Sequence, residues 1–319
     1  MLSVLISVDT EIWPSSWEAA RRSELREDFL RDIHGRTPRG DFGLPFQLRI
    51  LQEHGLKASF FVESLSPLVV GEGFLGEIVG MIAAAGQEVE LHLHPEWLQA
   101  ASPFPVEYQG PFLGDYPREQ QELLIREARD RLAPLVPGPV QGFRAGNYGA
   151  DGRTLQALAS LGFTADTSFN RSYLDRGCQL DLAGDLDQPA PLEGLLEVPI
   201  SNFEDWGGHH RYAGFCNCSH AELTGALALA EQAGWGVFVL VTHSFELLNI
   251  SRTRPDPLVI RRFERFCRFL ADHAQRFPTR HFRELSATPW PARGPARPLR
   301  SPLWKTGIRL GEQLLRRFL

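Results

Sequence analysis

Cysteine is scarce in this 319-residue chain, and the four that occur form no evident disulfide framework. They are Cys178, Cys216, Cys218 and Cys267, with no Cys-x-x-Cys pair among them. A fold stapled by disulfides is therefore not expected, and a reducing compartment is the better assignment. A metal at Cys216 and Cys218 would need partner cysteines, so ordinary thiols are the favoured interpretation.

Long hydrophobic runs are missing as well. No window of the sequence approaches the ~20 consecutive apolar residues that a membrane-spanning helix needs. The first residues, MLSVLISVDTE, lack the basic segment that opens a secretory signal. Both absences argue against a spanning or exported protein and predict a cytoplasmic one.

Positive charge is sparse in most of the chain and concentrated at its end. Residues 290–319 hold seven Lys or Arg against one acid, Glu312, which leaves 26 bases and 38 acids elsewhere, a charge of −12. Such an acidic body argues against general nucleic-acid binding. Residues 286–302, rich in Pro, Arg and Ser, predict a linker, and LWKTGIRLGEQLLRRFL after them predicts a basic amphipathic helix. We expect peripheral contact of this helix with anionic lipids, while a solvated or partner-bound tail fits nearly as well.

The remainder has an ordinary globular composition, with 43% hydrophobic and 23% charged residues. Seven β-rich runs alternate with helical stretches, at 2–9, 57–63, 88–94, 140–146, 163–168, 195–201 and 237–245. Helices are predicted at 44–55, 117–135, 150–162, 219–234 and 255–277 from apolar spacing near 3.6. This alternation predicts an α/β protein with a parallel sheet, and seven strands favour a barrel over an open doubly wound sheet.

Two long segments interrupt the simple strand-to-helix pattern. Residues 12–42 follow the first strand, and residues 98–116 follow the third. Both begin at the carboxyl end of a strand, which in barrels is the active-site face. We therefore expect these segments to form functional loops over the mouth of the barrel.

Two histidines stand two positions apart in the run EVELHLHPEW. On a strand, side chains at i and i+2 point to the same face, so His92 and His94 converge. Imidazoles are the commonest protein ligands of zinc, and a catalytic zinc usually takes three protein ligands. A metal site competes here with the plain alternative of two histidines buried for structural reasons.

Acidic and basic residues occupy other strand ends. Asp9 and Glu11 end the first apolar run, again at i and i+2, and their burial requires a cation, a metal or an arginine, unless they only cap a turn. Arg144 ends the fourth run and His243 the seventh. Titratable residues at the carboxyl ends of several strands are how barrel enzymes assemble a site.

In this order the motifs resemble those of the polysaccharide deacetylases of the NodB-homology type, a resemblance that spans residues 2–285. It implies a distorted (β/α)7 barrel over residues 1–285, with long loops at the C-terminal face of the strands and the linker and basic helix over 286–319. SVDTE is similar to the family's paired-acid motif, which implies that Asp9 is the general base; Thr10 replaces the second acid, so Glu11 would take its metal role. EVELHLHP resembles the motif that supplies two further metal ligands, His92 and His94.

The remaining motifs imply further roles. FRAGNYG is similar to the motif whose arginine holds the catalytic aspartate, which implies that Arg144 holds Asp9, and FTADTSFN resembles the Asp-rich motif, which assigns Asp166 to orienting an imidazole or Arg144. VLVTHS matches the run that ends in the general acid, His243.

Substrate contacts are expected from loop residues over the mouth, namely Tyr148, Trp97, Trp206 and His209, because aromatic rings stack on sugar faces. Trp13 and Trp17 lie on the same predicted loops.

The chemistry that follows is hydrolysis of an N-acetyl amide on a sugar, with a divalent transition metal, foremost zinc, as cofactor. Cobalt, nickel or iron would accept the same ligands. The expected setting is surface-polysaccharide or glycolipid synthesis, with an N-acylated saccharide or lipid-linked sugar as substrate and no nucleic-acid partner. Two alternatives remain: a deformylase or amidohydrolase with the same metal site, and a catalytically inactive carbohydrate-binding barrel.

Overall fold

A computed structural model of the chain describes residues 1–22, 24–174, 176–180, 186–290 and 298–316. The strands are β1 Ser3–Thr10, β2 Arg36–Thr37, β3 Gly40–Asp41, β4 Ala58–Glu63, β5 Glu88–Leu93, β6 Gly142–Ala145, β7 Ala165–Asp166, β8 Ala190–Leu192, β9 Leu195–Glu197, β10 Asn202–Glu204, β11 His210–Tyr212, β12 Val237–His243 and β13 Leu299–Arg300.

The helices are α1 Trp17–Arg21, α2 Arg26–Phe29, α3 Leu44–Glu53, α4 Pro67–Val70, α5 Gly73–Ala84, α6 Arg118–Leu132, α7 Gly152–Ser160, α8 His220–Gln232, α9 Pro257–Asp272, α10 Phe282–Ser286 and α11 Leu303–Arg316. Short helical turns lie at Leu30–His34, Pro95–Gln99, Leu113–Asp115, Ala133–Leu135, Gly146–Tyr148, Arg171–Tyr173 and Trp206–Gly208.

Eight strands form one curled sheet in the order β12-β1-β4-β5-β6-β7-β9-β8. All neighbours are parallel except β8 and β9. The seven predicted runs are the seven parallel strands, so the predicted α/β barrel architecture is confirmed. The antiparallel edge strand β8 was not predicted, because its three residues are too short to show a period.

The edges of the curled sheet are β8 and β12, and side chains join the two sides. Gln188, just before β8, accepts hydrogen bonds from the backbone N–H groups of Gly236 and Val237 and donates to the carbonyl of Val237. Beyond β9, Ser201 accepts from the N–H of Val239 through its hydroxyl. The outer edge of β12 is thus partly satisfied without a ninth strand, as a distorted barrel requires.

Apolar strands and amphipathic helices build the core, as the sequence pattern predicts. β1 is buried along its length from Val4 to Thr10, because strands cover it on both sides and helices cover the sheet. All five predicted helices form. α8 begins with a reciprocal capping box between Ser219 and Glu222. α5 was missed because its glycines, with a largely apolar remainder, obscure any helical period.

The predicted insertion after β1 folds back over the carboxyl ends of the strands. Two buried acids hold it: Asp32 accepts from the N–H of Trp13 (2.8 Å), and Asp28 accepts from the N–H of Ser15 (3.1 Å). Arg31 pairs with both acids. The segment is therefore an ordered wall of the mouth.

The C-terminal segment joins the barrel by its described part. β13 pairs with β10, and α11 contacts α8. Residues 291–297 of the predicted linker and 317–319 of the predicted basic helix lie outside the described residues. The domain boundary at residue 285 stays a prediction. Among the described helices, none has the length and apolar character to cross a bilayer.

Candidate active site

The register of the parallel strands gathers the predicted residues at one end of the sheet. Asp9 lies beside His243 on β12, and His92 lies beside Arg144 on β6. Carboxyl ends of parallel strands meet at one mouth, so residues far apart in the sequence become neighbours.

Glu11, His92 and His94 form a buried cluster of three potential metal ligands. One ligand atom from each residue lies within 4.8 Å of the others. Glu11 Oε2 is 2.8 Å from Nε2 of His94 and 3.4 Å from Nε2 of His92. A buried carboxylate with two imidazoles is a donor set that binds divalent transition metals, so this cluster can hold one.

The other ring nitrogen of each histidine is already committed to an acceptor. Nδ1 of His92 donates to the carbonyl of Arg144 (2.8 Å), and Nδ1 of His94 donates to Glu96 (3.2 Å). Because a carbonyl or carboxylate only accepts, these contacts place the proton on Nδ1 and leave Nε2 free to ligate. Gly146 permits this arrangement, since a Cβ there would lie 2.6 Å from Nδ1 of His94.

Within the described part of the chain, only one carboxylate oxygen of Glu11 receives a hydrogen bond, which would leave the other available to a metal. Its Oε1 accepts from the indole Nε1 of Trp13 (2.9 Å). Its buried Oε2 receives no donor with hydrogen-bond geometry among the described residues, although His94 is near. Burial alone would raise the pKa of Glu11, but positive charge on the neighbouring imidazoles, foremost His94, holds it well below its ordinary value, as a bound cation would. The cluster therefore favours a cation at its centre.

Asp9 forms a buried ion pair with Arg144. Nη1 of Arg144 contacts Asp9 Oδ1, and Nη2 donates to the hydroxyl of Ser7 at 2.8 Å. The guanidinium also lies over the ring of Phe61, 4.3 Å from its centroid. Arg144 is fully buried, so its charge is compensated chiefly by Asp9.

His243, at the end of β12, borders the same cluster. Its Nε2 is 3.8 Å from both Asp9 Oδ2 and Glu11 Oε1, and its Nδ1 hydrogen-bonds Glu246 at 2.9 Å. Burial alone would lower the pKa of His243, but the hydrogen bond and charge of Glu246, with the charges of Glu11 and Asp9, raise it to about 9. A protonated imidazole is thus available beside a carboxylate.

These groups face a common cavity of about 220 Å³. Its lining residues are Asp9, Glu11, Trp13, His92, His94, Ala145, Asn147, Tyr148, Tyr173, Tyr212, His243, Phe245 and Arg252. A mixture of titratable groups and aromatic walls is typical of a small-molecule site.

Tyr148 stands out in this wall. Its backbone takes the left-handed conformation (φ 56°), which is costly for an aromatic residue. Its buried hydroxyl has no hydrogen-bond partner among the described residues, and burial raises its pKa well above the usual value. The rings of Tyr173 and Tyr212 pack beside it, at centroid distances of 4.7 and 6.5 Å. Tyr148 therefore offers a neutral donor to a bound molecule.

Four predicted residues lie apart from this cavity. Trp97 is buried against the ring of Trp17, and Trp206 and His209 are exposed at a turn beyond β10. Asp166 is buried and accepts hydrogen bonds from the N–H and hydroxyl of Ser168. None of the four is among the residues that line the cavity. Their assigned roles stay predictions.

Sequence reasoning missed several cavity residues and both carboxylates that hold the histidines. Glu96 and Glu246 follow His94 and His243 by two and three residues, a local spacing that could have identified them. Tyr173 on a helical turn, Tyr212 at the end of β11 and Arg252 on the loop after β12 come from distant parts of the chain and carry no comparable signal.

Comparison with known proteins supports the fold. The chain is similar to a structure described as a "putative polysaccharide deacetylase" from Mycobacterium smegmatis, with a TM-score of 0.58 and 16% identity over 93% of this chain and 95% of that one. It is also similar to part of a 4-alpha-glucanotransferase from Thermococcus litoralis, with a TM-score of 0.52 and 11% identity over 90% of this chain and 38% of that one. Neither a protein-family model nor a curated protein sequence matches the chain. The predicted likeness to the polysaccharide deacetylases is thereby confirmed for the fold.

Proposed function

We propose that this protein is a metal-dependent hydrolase that removes the acyl group, foremost acetyl, from an amide on a sugar. The observation that carries the proposal is the arrangement around one cavity: a buried Glu-His-His cluster, a carboxylate paired with an arginine, and a histidine beside both. A water-activating ion, a base and an acid are the three parts of a metal-dependent amide hydrolysis.

Glu11, His92 and His94 would hold the metal. A divalent ion held there would supply Lewis-acid chemistry, polarising the amide carbonyl and lowering the pKa of a water toward ~7. Zinc suits this donor set, and cobalt, nickel and iron accept it. Trp13 and Glu96 would fix the ligands in place, as hydrogen-bonding partners of metal ligands generally do.

Asp9 is the proposed general base. It lines the cavity, and it faces His243 on one side while Arg144 holds its other oxygen. The buried guanidinium contacts one carboxylate oxygen of Asp9 and leaves the other facing the cavity. Asp9 would take the proton of the attacking water.

His243 is the proposed general acid. Its protonated Nε2 faces the cavity, while Glu246 holds Nδ1 and also accepts from the hydroxyl of Thr242. The imidazolium would give its proton to the leaving amine as the carbon–nitrogen bond breaks. Glu246 acts through His243 and is a positioning residue.

The tyrosine cluster would bind the sugar. Tyr148 offers a hydroxyl donor, and the rings of Tyr148, Tyr173 and Tyr212 supply a face against which a pyranose ring can pack. The M. smegmatis protein is described as a "putative polysaccharide deacetylase", and the proposed sugar site is the cavity of about 220 Å³ beside these rings. A role in surface-polysaccharide or glycolipid synthesis in the cytoplasm is part of the same proposal.

The decisive experiment joins metal content to amine release. Untagged protein, His92→Ala/His94→Ala and the control His209→Ala are analysed for metal and incubated with N-acetyl and N-formyl sugars. We expect about one transition-metal ion per chain, lost in the double variant and kept in the control, and amine release abolished by Asp9→Asn.

The possible outcomes separate the alternatives. Release from formyl but not acetyl substrates would replace the deacetylase by a deformylase. A metal-loaded protein that binds sugars without releasing amine would favour the non-catalytic carbohydrate-binding barrel. Protein that stays empty after incubation with zinc would overturn the metal-dependent reaction.

A further inference from the structure

Helix α11 (Leu303–Arg316) packs against the barrel with its polar side inward. At 100° per residue, its inward face is formed by Lys305, Thr306, Arg309, Gln313 and Arg316. The opposite face is apolar and exposed, with 41–61% of each side chain accessible: Leu303, Trp304, Ile308, Leu310, Leu314 and Leu315. Surface helices of globular proteins normally have the reverse orientation.

Ion pairs explain why the polar face of α11 packs against the barrel. Arg309 is buried and pairs with Asp205 (2.9 Å) and Glu222 (3.0 Å). Arg262 on α9 pairs with Glu312 at 2.6 Å. Buried charges separated from their partners would cost several kcal/mol, so these contacts fix the orientation of α11.

Arg316 makes a third attachment, to Asp256 at the start of α9. Arg309 and Arg316, two of the cations that the sequence assigned to lipid contact, are therefore engaged within the protein. The positive charge beside the apolar face has another source.

That source is α9. Arg261 and Arg265 are exposed, and neither forms an ion pair within the described part of the chain. Both line a cavity of about 450 Å³ beside the end of α11, together with Leu258 and Leu315. Unpaired arginines and exposed leucines thus form one continuous surface.

We propose that the apolar face of α11, with Arg261 and Arg265, docks on an anionic phospholipid bilayer. A helix lying in the membrane interface buries one apolar face among the lipid chains, and neighbouring cations attract the phosphates. The α11 face is about 21 Å long and one helix wide, which suits this mode. A second copy of the chain would bring a second pair of unpaired arginines, whereas phosphates neutralise them.

The inward face of α11 is linked to the loop after β12. Arg316 pairs with Asp256, four residues after Arg252, which lines the active-site cavity. The docking stands independently of the proposed reaction.

The test is co-sedimentation of the full chain with vesicles of phosphatidylcholine, alone or with one-quarter phosphatidylglycerol. We expect binding to the anionic vesicles that weakens with added salt. Trp304→Ser/Leu315→Ser and, separately, Arg265→Glu should each reduce the partition coefficient about tenfold.

Matched controls carry the same changes elsewhere on the surface. Tyr108→Ser/Leu135→Ser and Arg126→Glu alter exposed residues outside α8, α9 and α11, and should leave binding within about twofold. Circular dichroism verifies that every variant is folded.

Two results would overturn the proposal. One is that the wild type does not bind vesicles, or that the α11 variant and the α9 variant both bind them as the wild type does. The other is a concentration-dependent dimer, measured by light scattering, in a protein that does not bind vesicles. If Trp304→Ser/Leu315→Ser dissociated this dimer, the apolar face of α11 would be assigned to a second copy of the chain.

Discussion

Replacing Arg144 by methionine should strongly destabilise the protein, because it leaves the carboxylate of Asp9 buried without its counter-charge. The side chain of Arg144 is fully buried and that of Asp9 is 4% exposed. Methionine keeps most of the volume beside Phe61 but none of the charge or donors. The effect should therefore arise from electrostatics and not from a cavity.

The size of the effect follows from the burial of the pair. Removing one partner of a buried ion pair costs about 3–5 kcal/mol. With an unfolding entropy of about 2.1 cal/mol/K per residue, the 319-residue chain has about 0.67 kcal/mol/K, so a loss of about 4 kcal/mol lowers Tm by about 6 °C.

The assay is urea and thermal unfolding with chelator present, so that metal occupancy does not differ between variants. Adding Asp9→Asn to the Arg144→Met background removes the stranded charge and should restore about half of the lost stability or more. Arg126→Met, an exposed control, should change stability by about 0.5 kcal/mol or less. If the double variant is as unstable as Arg144→Met alone, the stranded charge is not the cause and the reasoning fails.

Three further changes probe the site and its scaffold. Glu246→Gln removes a charge that raises the pKa of His243. Because activity that needs a protonated general acid is lost as pH rises through the pKa of that acid, the alkaline limb of the kcat profile should move down by roughly one pH unit. An unmoved limb would exclude His243 as the general acid. Trp13→Phe deletes the hydrogen bond to Glu11 and should weaken metal binding about tenfold in competition with a chelating dye, whereas unchanged affinity would make the indole merely structural. Burial and a neighbouring acid raise the pKa of Glu90 to about 8, so the folded state keeps a proton that the unfolded state loses near 4.5, and wild-type stability should fall as pH rises across that window. Glu90→Gln should flatten this fall, gaining on the order of 4 kcal/mol relative to wild type between pH 5 and 8.5; parallel stability curves would contradict the shift.

The core of the candidate site follows from strand geometry, which is why the sequence predicts it. Alternation along an extended chain puts Asp9 and Glu11 on one side, and likewise His92 and His94. A parallel sheet with known strand order then brings His243 next to Asp9. The alternation and the convergence of strand ends were visible in the sequence, whereas the order that places β12 beside β1 comes from the structure.

The parts that escaped prediction depend on how distant segments pack. Trp97 looks like a loop aromatic in the sequence, yet the helical turn after His94 rotates it against Trp17. Tyr173 and Tyr212 enter the cavity from a short helical turn and a three-residue strand, both too short to show a periodic signal. No spacing rule encodes such placements.

The orientation of α11 has the same origin. Its two faces are evident from the 3.6-residue period, but which face is bound depends on acids far away in the chain. Asp205 and Glu222 select the polar side through Arg309. An amphipathic pattern alone would have suggested the opposite orientation.

The order of the strands in the sheet also determines when during synthesis the parts of the candidate site become available. β1 leaves the ribosome first, yet one of its two neighbours, β12, is translated last among the strands of the large sheet. At about 5–20 residues per second, roughly 10–50 s separate Asp9 from His243. By then the segments that carry Glu11, His92 and His94 have already been made. In the proposed reaction, the three metal ligands are therefore synthesised well before the candidate acid, which arrives with the final parallel strand.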